Sequence, residues 1–541
     1  MKASRIVRTL AIWMVAASLA GCGAQTAQTG QNEGAQPPGQ GQAQPEPAKE
    51  PQAATGGELK IAYQAQPPTL DPHVTTSQAS ATIGRNVFET LVTADSKYHV
   101  QPMLAESWEQ SEDGTTITFR LRQGVRFHNG KEMTADDVAA SMNRWIQISS
   151  AGKDHFTGAV FEAKDAQTAV LTLKQPTATA MAILAYGGGN YPAIMPKELI
   201  DQADPKGVKE YVGTGPFQFK EWKQDQQIHL TKYADYQARS EAADGLAGKR
   251  EARVDDIYFI FTPDSSTQVA GLLSGEFDIA ADVSYDSVQQ LESNPEIKVD
   301  VAPTGMLNLY FNKKKGLFAN EKARQAIAAG IDAESILIAA YTQEKYYELN
   351  HNMMMYYQIG QWSSENGRES YNQNNPEKAK QLLGEAGYNG EEIVIMTSRD
   401  YEDMYNGAVA FQQQLKNLGV KSKLEVYDWP TFTELRNDEN KFDILVITNT
   451  PKPEPSSLAF MRKDFPGWTN SPELDELLVK FRGAPNLEKA MSVYDDIQKW
   501  FYEYVPVVKI GDGNSISSSQ KSVEGMTWLD GLILWNVSNA K

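Results

Sequence analysis

At 541 residues the chain exceeds what a single hydrophobic core absorbs, so two or more lobes are expected. Its residues are 41% hydrophobic, 10% aromatic and 22% charged, globular proportions that exclude a mainly disordered, collagenous or polytopic membrane protein. Lys and Arg number 51 against 69 Asp and Glu, and the resulting net charge of −18 repels polyanions and argues against nucleic-acid binding.

In chain order, Lys2, Arg5 and Arg8 precede an apolar run at 10–19 and then small residues, the order of an export leader over 1–21. That run is too short to cross a bilayer. Leu19-Ala20-Gly21-Cys22 resembles the lipobox of bacterial lipoproteins, which implies a diacylglyceryl group on Cys22 and a lipid-anchored protein on the extracellular or periplasmic face of the cell membrane. Cys22 is the only cysteine, so no intrachain disulfide forms. Residues 22–56 are Gln, Gly, Pro and Ala with almost no large apolar side chain, a tether with a reach of about 30 Å.

From Gly57 onward strands and helices mix. Residues 59–63, 116–121, 169–173, 228–232, 257–261 and 307–311 read as strands. Thr134-Ala-Asp-Asp137 is a capping box opening a helix through Val138, Met142 and Trp145. Asn320 caps a helix over 321–330, and Asn375-Pro376 starts another that Gly387 stops. The stretch 392–449 alternates: strand 393–397, helix 404–418 with Phe411, Leu415 and Leu418 on one face, strand 423–427, short helix 430–436, strand 442–448. This βαβαβ order predicts a largely parallel sheet with a ligand beyond the strands' carboxyl ends. Those ends are Ser398-Arg399-Asp400-Tyr401 and Thr448-Asn449-Thr450.

Chemistry-bearing motifs are few. There is no Gly-x-Ser-x-Gly elbow, no phosphate loop, and no His-Glu-x-x-His or other His pair four apart among the six histidines, so neither an enzyme nor a metal or other cofactor is expected. Gly187-Gly-Gly-Asn190 lacks the strand and Lys of a phosphate loop and reads as a turn. His351 beside Met353-Met-Met355 is either packing or a soft-metal site.

Several longer motifs resemble one family. Leu104-Ala-Glu-Ser-Trp108, Ser111-Glu-Asp-Gly114, Phe119-Arg-Leu-Arg-Gln-Gly-Val-Arg-Phe-His-Asn-Gly130 and Thr134-Ala-Asp-Asp-Val138 are similar to the signature of the family 5 extracellular solute-binding proteins of peptide, nickel and related ABC importers. Thr69-Leu-Asp-Pro72, Gly213-Thr-Gly-Pro-Phe217, Arg324-Gln-Ala-Ile327 and Pro506-Val-Val508 extend the resemblance over residues 57–520. It implies an α/β fold, a type II periplasmic-binding-protein clamshell of two lobes with an additional α/β domain. Lobe I is expected from 57–95, 214–302 and 505–541, the extra domain from 96–213 and lobe II from 303–504.

The resemblance also implies function: a monomer that traps a peptide or other small solute between its lobes, closes on it, and delivers it to an ABC transporter permease. Oligopeptides or dipeptides are the expected ligands. A nickel complex, haem, a glutathione-like solute or a sugar is the alternative, and a tethered carboxylate hydrolase the remotest. Dipeptide-binding members hold the ligand carboxylate with an Arg-x-Tyr element, here Arg399-Asp400-Tyr401; the alternative is a surface pairing of Arg399 with a nearby acid. Their amino-group Asp precedes a Glu-Pro pair by three residues, and here Pro451 occupies that place before Glu454-Pro455. Either Glu454 or another acid takes over, or the ligand lacks that amino group. Thr448, Asn449 and Thr450, with Gln66, Thr75, Thr76 and Ser77 on the other lobe, match cleft positions.

Overall fold

The computed structural model describes residues 55–358 and 361–541. The expected leader, the lipid site Cys22 and nearly all of the tether lie outside the described residues.

One mixed sheet runs through the molecule. Its strands lie in the order Ser422–Tyr427, Ile393–Ser398, Ile444–Asn449, Ile297–Phe311, Val507–Gln520, Ile279–Ala280, Glu58–Tyr63, Asp256–Phe261, Gln227–Lys232 and Phe217–Lys223. The 392–449 segment forms the expected βαβαβ unit, with its three strands parallel. The sheet as a whole is not largely parallel, because an antiparallel pair joins its halves and a hairpin closes its far edge.

That joining pair consists of Ile297–Phe311 and Val507–Gln520, strands of 15 and 14 residues that serve both lobes. Only the end of the first was legible as a strand. The register slips between Pro303 and Gly305, opposite Asn514 and Gly513. A Cβ on Gly305 would lie 2.5 Å from the carbonyl oxygen of Asn449 in the neighbouring strand Ile444–Asn449, so only glycine lets that strand approach this closely.

Period-two alternation explains why the second-lobe half of the sheet is buried on both faces. Leu307, Leu309, Ile393, Ile395, Ile444 and Val446 enter one core with Phe411 and Leu415 of helix Glu402–Asn417. Met306, Tyr310, Met396, Leu445 and Ile447 enter another on the opposite face. The three consecutive methionines 353–355 are sealed in that second core, and the ring Nε2 of His351 lies 2.9 Å from the Ser364 carbonyl. Residues 269–291, expected with lobe I, share the first of these cores with lobe II.

The extra domain is a four-stranded antiparallel sheet covered by helix Ala135–Ile148, which buries Val138, Met142 and Trp145 against Phe119 and Phe161. The capping box is present, and the fully buried Asp137 also accepts from Lys131 (2.6 Å) and from the Lys197 backbone (2.8 Å). Signature residues act as struts. Asp71 pairs with Arg144 at 2.7 Å, and Glu89 accepts from Thr214 and Tyr236. His128 bridges the Gly213 amide and the Gly215 carbonyl, and burial pushes its ring down to about 4, so it stays neutral.

Candidate functional site

The topology dictates where a cleft falls. Glu58–Tyr63 and Ile279–Ala280 run parallel and meet the joining pair near its Ile297 end, whereas Ile444–Asn449 meets it near its Phe311 end and runs the opposite way. Their carboxyl ends therefore point toward each other over the register slip at Pro303 to Gly305. Gln64, just past the first strand, donates to the Asp400 carbonyl at 3.4 Å across this gap.

Three carboxyl groups meet there. Asp282 follows the strand Ile279–Ala280, and Glu402 and Asp403 form the first turn of helix Glu402–Asn417. Burial, then the charges of Asp403 and Glu402, push the Asp282 carboxyl up to about 7. Among the described residues it has no hydrogen-bond or ion-pair partner. Asp403 accepts from Thr448 Oγ1 (2.5 Å) and Tyr341 (3.2 Å), yet burial still holds it above the usual carboxylate range. Glu402 is raised by burial and then by Asp286. Tyr285, Tyr341 and Tyr401 wall the group; the first two rings meet edge to face at 5.7 Å, and Tyr401 packs on Trp429 at 4.9 Å. Three part-buried acids with no paired cation among the described residues favour a cationic guest.

Further contacts tie the extra domain to the rest of the molecule. Tyr186 donates to the Pro451 carbonyl at 3.0 Å, and Lys452 Nζ sits 5.8 Å over the Tyr186 ring. Tyr98 stacks on Tyr357 and donates to Asp530 at 2.6 Å. Ala94, Tyr98, Tyr186, Gly187, Pro453 and Asp530 enclose a small pocket. Farther out, His155 contacts Ser457 (3.1 Å) and Asp154 pairs with Arg462.

The sequence-derived residues separate into two groups. Tyr401, Thr448 and Asn449 stand beside the acids on the second-lobe wall, and Thr450 is exposed at the strand's exit. Arg399 is also exposed, with its guanidinium turned to the Val426 carbonyl at 2.9 Å and away from the acids. Among the described residues it forms no ion pair with Asp400, Glu402 or Asp403, and Asp400 accepts from the Trp429 amide. On the first lobe, Gln66 bonds Trp222 and Asp225 and so pins a hairpin turn. Thr75 accepts from the Ser77 amide, Ser77 caps helix Gln78–Gly84, and Thr76 is exposed.

Gly187 to Asn190 is the expected turn. Asn190 donates twice to the Thr75 carbonyl, and a Cβ on Gly189 would lie 2.3 Å from the Thr76 carbonyl. Glu454 is fully buried and bonds Ser456 and Ser457, so it does not face the acids' cleft. Sequence reading missed Asp282, Glu402, Asp403 and Lys452. The only local signal was position, since all four come shortly after strand ends of the central sheet.

This architecture, two lobes on one mixed sheet with a cleft above crossing strands and an added α/β domain, is that of a type II periplasmic binding protein. Residues 99–469 match the family described as "Bacterial extracellular solute-binding proteins, family 5 Middle", and the chain belongs to that family. A probable peptide ABC transporter periplasmic-binding protein, y4tO of Sinorhizobium fredii, is 30% identical over 87% of this chain and 91% of its own. The oligopeptide-binding protein AppA of Bacillus subtilis is 25% identical over 89% and 91%. Among solved structures, the periplasmic binding protein DppA of Helicobacter pylori in complex with peptide STSA has a TM-score of 0.75 and 26% identity, covering 90% of this chain and 99% of that one.

Proposed function

We propose that this protein is the substrate-binding component of an ABC importer and that it captures peptides through their free amino terminus. The observation that carries this reading is the trio Asp282, Glu402 and Asp403, contributed from both sides of the cleft and lacking a counter-cation among the described residues. An ammonium placed among them offsets one unit of their charge and ties one lobe to the other, so binding and closure reinforce each other. The amino-group role that Pro451 cannot fill passes to these acids. Tyr401, Thr448, Asn449 and Thr450 supply hydroxyl, amide and backbone groups to the peptide main chain, which recognises length and polarity more than side-chain identity. The peptide is released chemically unaltered to the permease, and a lipid on Cys22 keeps the binding protein at the membrane.

A nickel or soft-metal cargo is less well supported, because His128 and His351 use ring nitrogens inside the fold and the three methionines are core. Mass spectrometry of the solute that co-purifies with native protein tests the assignment. Peptides with unblocked amino termini are expected; a metal complex, a sugar or a processed product would overturn it.

A further inference from the structure

The joining strand carries a buried cluster that the proposed cleft does not use. Lys509 and Asp512 of strand Val507–Gln520, with Asn350 just before the methionine run, are 3%, 0% and 6% exposed. Lys509 Nζ lies 2.7 Å from Asp512 Oδ1, and Asn350 Nδ2 donates to the other oxygen of the same carboxylate at 2.7 Å. Both nitrogens also donate to one carbonyl, that of Met354, at 3.0 and 2.8 Å. Two shared acceptors set the amine beside the side-chain amide. A further bond from Nζ reaches the Asn352 carbonyl at 2.6 Å, and the Tyr356 amide fixes Asp512 Oδ2 at 2.7 Å. Asn350 Oδ1 in turn accepts from the Asn352 backbone N–H at 3.0 Å.

Each member of this cluster has a place in amide exchange. Burial weakens the hold of Lys509 on its proton and strengthens that of Asp512, which biases the pair toward a neutral amine and a neutral acid. A neutral amine is a nucleophile, and the Asn350 carbonyl carbon is its electrophile. The Asn352 N–H stands where negative charge gathers on Oδ1 during attack. Asp512 touches both the attacking and the leaving nitrogen, so it can carry a proton from one to the other.

We infer that Lys509 and Asn350 form a self-modification site, joined by an isopeptide bond within the folded chain. The Nζ–Cγ bond forms and the Cγ–Nδ2 bond of Asn350 breaks. The proton lost by Nζ passes through Asp512 to Nδ2, which leaves as ammonia, so no oxidant, reductant or cofactor is consumed. The bond staples the 350–356 segment to the joining strand. Tyr356 and the adjoining Tyr357 bond Asn514 and stack on Tyr98, so the staple steadies the contact between the extra domain and the second lobe. It forms with any solute or none and is independent of the peptide reading.

Tryptic mapping of the folded native protein by mass spectrometry is the test. Trypsin does not cut after an acylated lysine, so the digest should contain a branched peptide joining residues 346–368 to residues 500–521. That peptide should weigh one ammonia less than its two parts, and fragmentation should place the branch at Asn350 and Lys509. Asp512→Asn and Lys509→Arg should each return the two parts unlinked, and the melting temperature should fall with the loss of the staple. The wild-type map decides by itself if neither variant folds. Wild-type peptides 346–368 and 500–509 recovered free and in full yield would mean an ordinary ion pair and overturn the inference. A branched peptide undiminished in Asp512→Asn would overturn the role given to the carboxylate.

Discussion

Replacing Asp282 with asparagine isolates the electrostatics on which the proposed cleft depends. In the folded, ligand-free protein the Asp282 carboxyl keeps its proton up to about pH 7, against 3.8 for an ordinary aspartyl. Between those values the folded state binds a proton that the unfolded chain has released. Stability therefore falls as pH rises through that window, and the whole loss is present above it. A difference of about three pH units corresponds to at most about 4 kcal/mol, and residual solvent access lowers the expected figure to about 1–2 kcal/mol. Asp282→Asn should thus gain about that much stability at pH 8 and almost nothing at pH 4, as read by urea unfolding. The ligand reverses the sign. An ammonium beside Asp282 restores the ionised form, so binding at pH 6 expels a proton and affinity rises with pH, by up to about tenfold per unit, until near pH 7. Calorimetry of a bound peptide in two buffers of unlike ionisation heat measures that proton directly. Asp282→Asn should flatten the profile and weaken binding at pH 7.5 by about 1.5–3 kcal/mol, the worth of a charge-assisted bond. A wild-type affinity independent of pH between 5 and 7, or a variant that binds as tightly as wild type, would refute the reasoning.

Other parts of the molecule make separate predictions. Tyr186→Phe removes the bond from the extra domain to the Pro451 carbonyl and should weaken peptide affinity by about 0.5–1.5 kcal/mol with little change in the melting temperature, as calorimetry and thermal unfolding report. The buried pair Lys509–Asp512, 2.7 Å apart, binds the 350–356 segment to the joining strand. Lys509→Met leaves Asp512 uncompensated and should cost about 3–5 kcal/mol in urea unfolding. Cys22→Ser should move the protein from the membrane to the soluble fraction; continued sedimentation with membranes would show a different anchor.

Local rules reached far in this chain because most of its elements carry their own boundaries. The capping box at Thr134, the Asn320 and Asn375 caps, and Gly419 at φ +83° mark helix ends through backbone groups only a few residues away. Strands with apolar residues on one or both faces, such as Thr116–Leu121 and Ile393–Ser398, announce themselves through period and composition. The joining strand Ile297–Phe311 did not, since Pro303 and Gly305 look like breakers until a partner strand 200 residues away absorbs them in a register slip.

The candidate site divides along the same line. Chain order alone placed Tyr401 after one parallel strand and Thr448 at the carboxyl end of another. Only the tertiary structure brought Asp282 to Glu402 and Asp403 across more than a hundred residues and turned Arg399 outward to a backbone carbonyl. Hydrogen bonds between near neighbours are encoded within a short window of sequence. The protonation and pairing of a buried charge depend on every group that folding packs around it, and those groups come from anywhere in the chain.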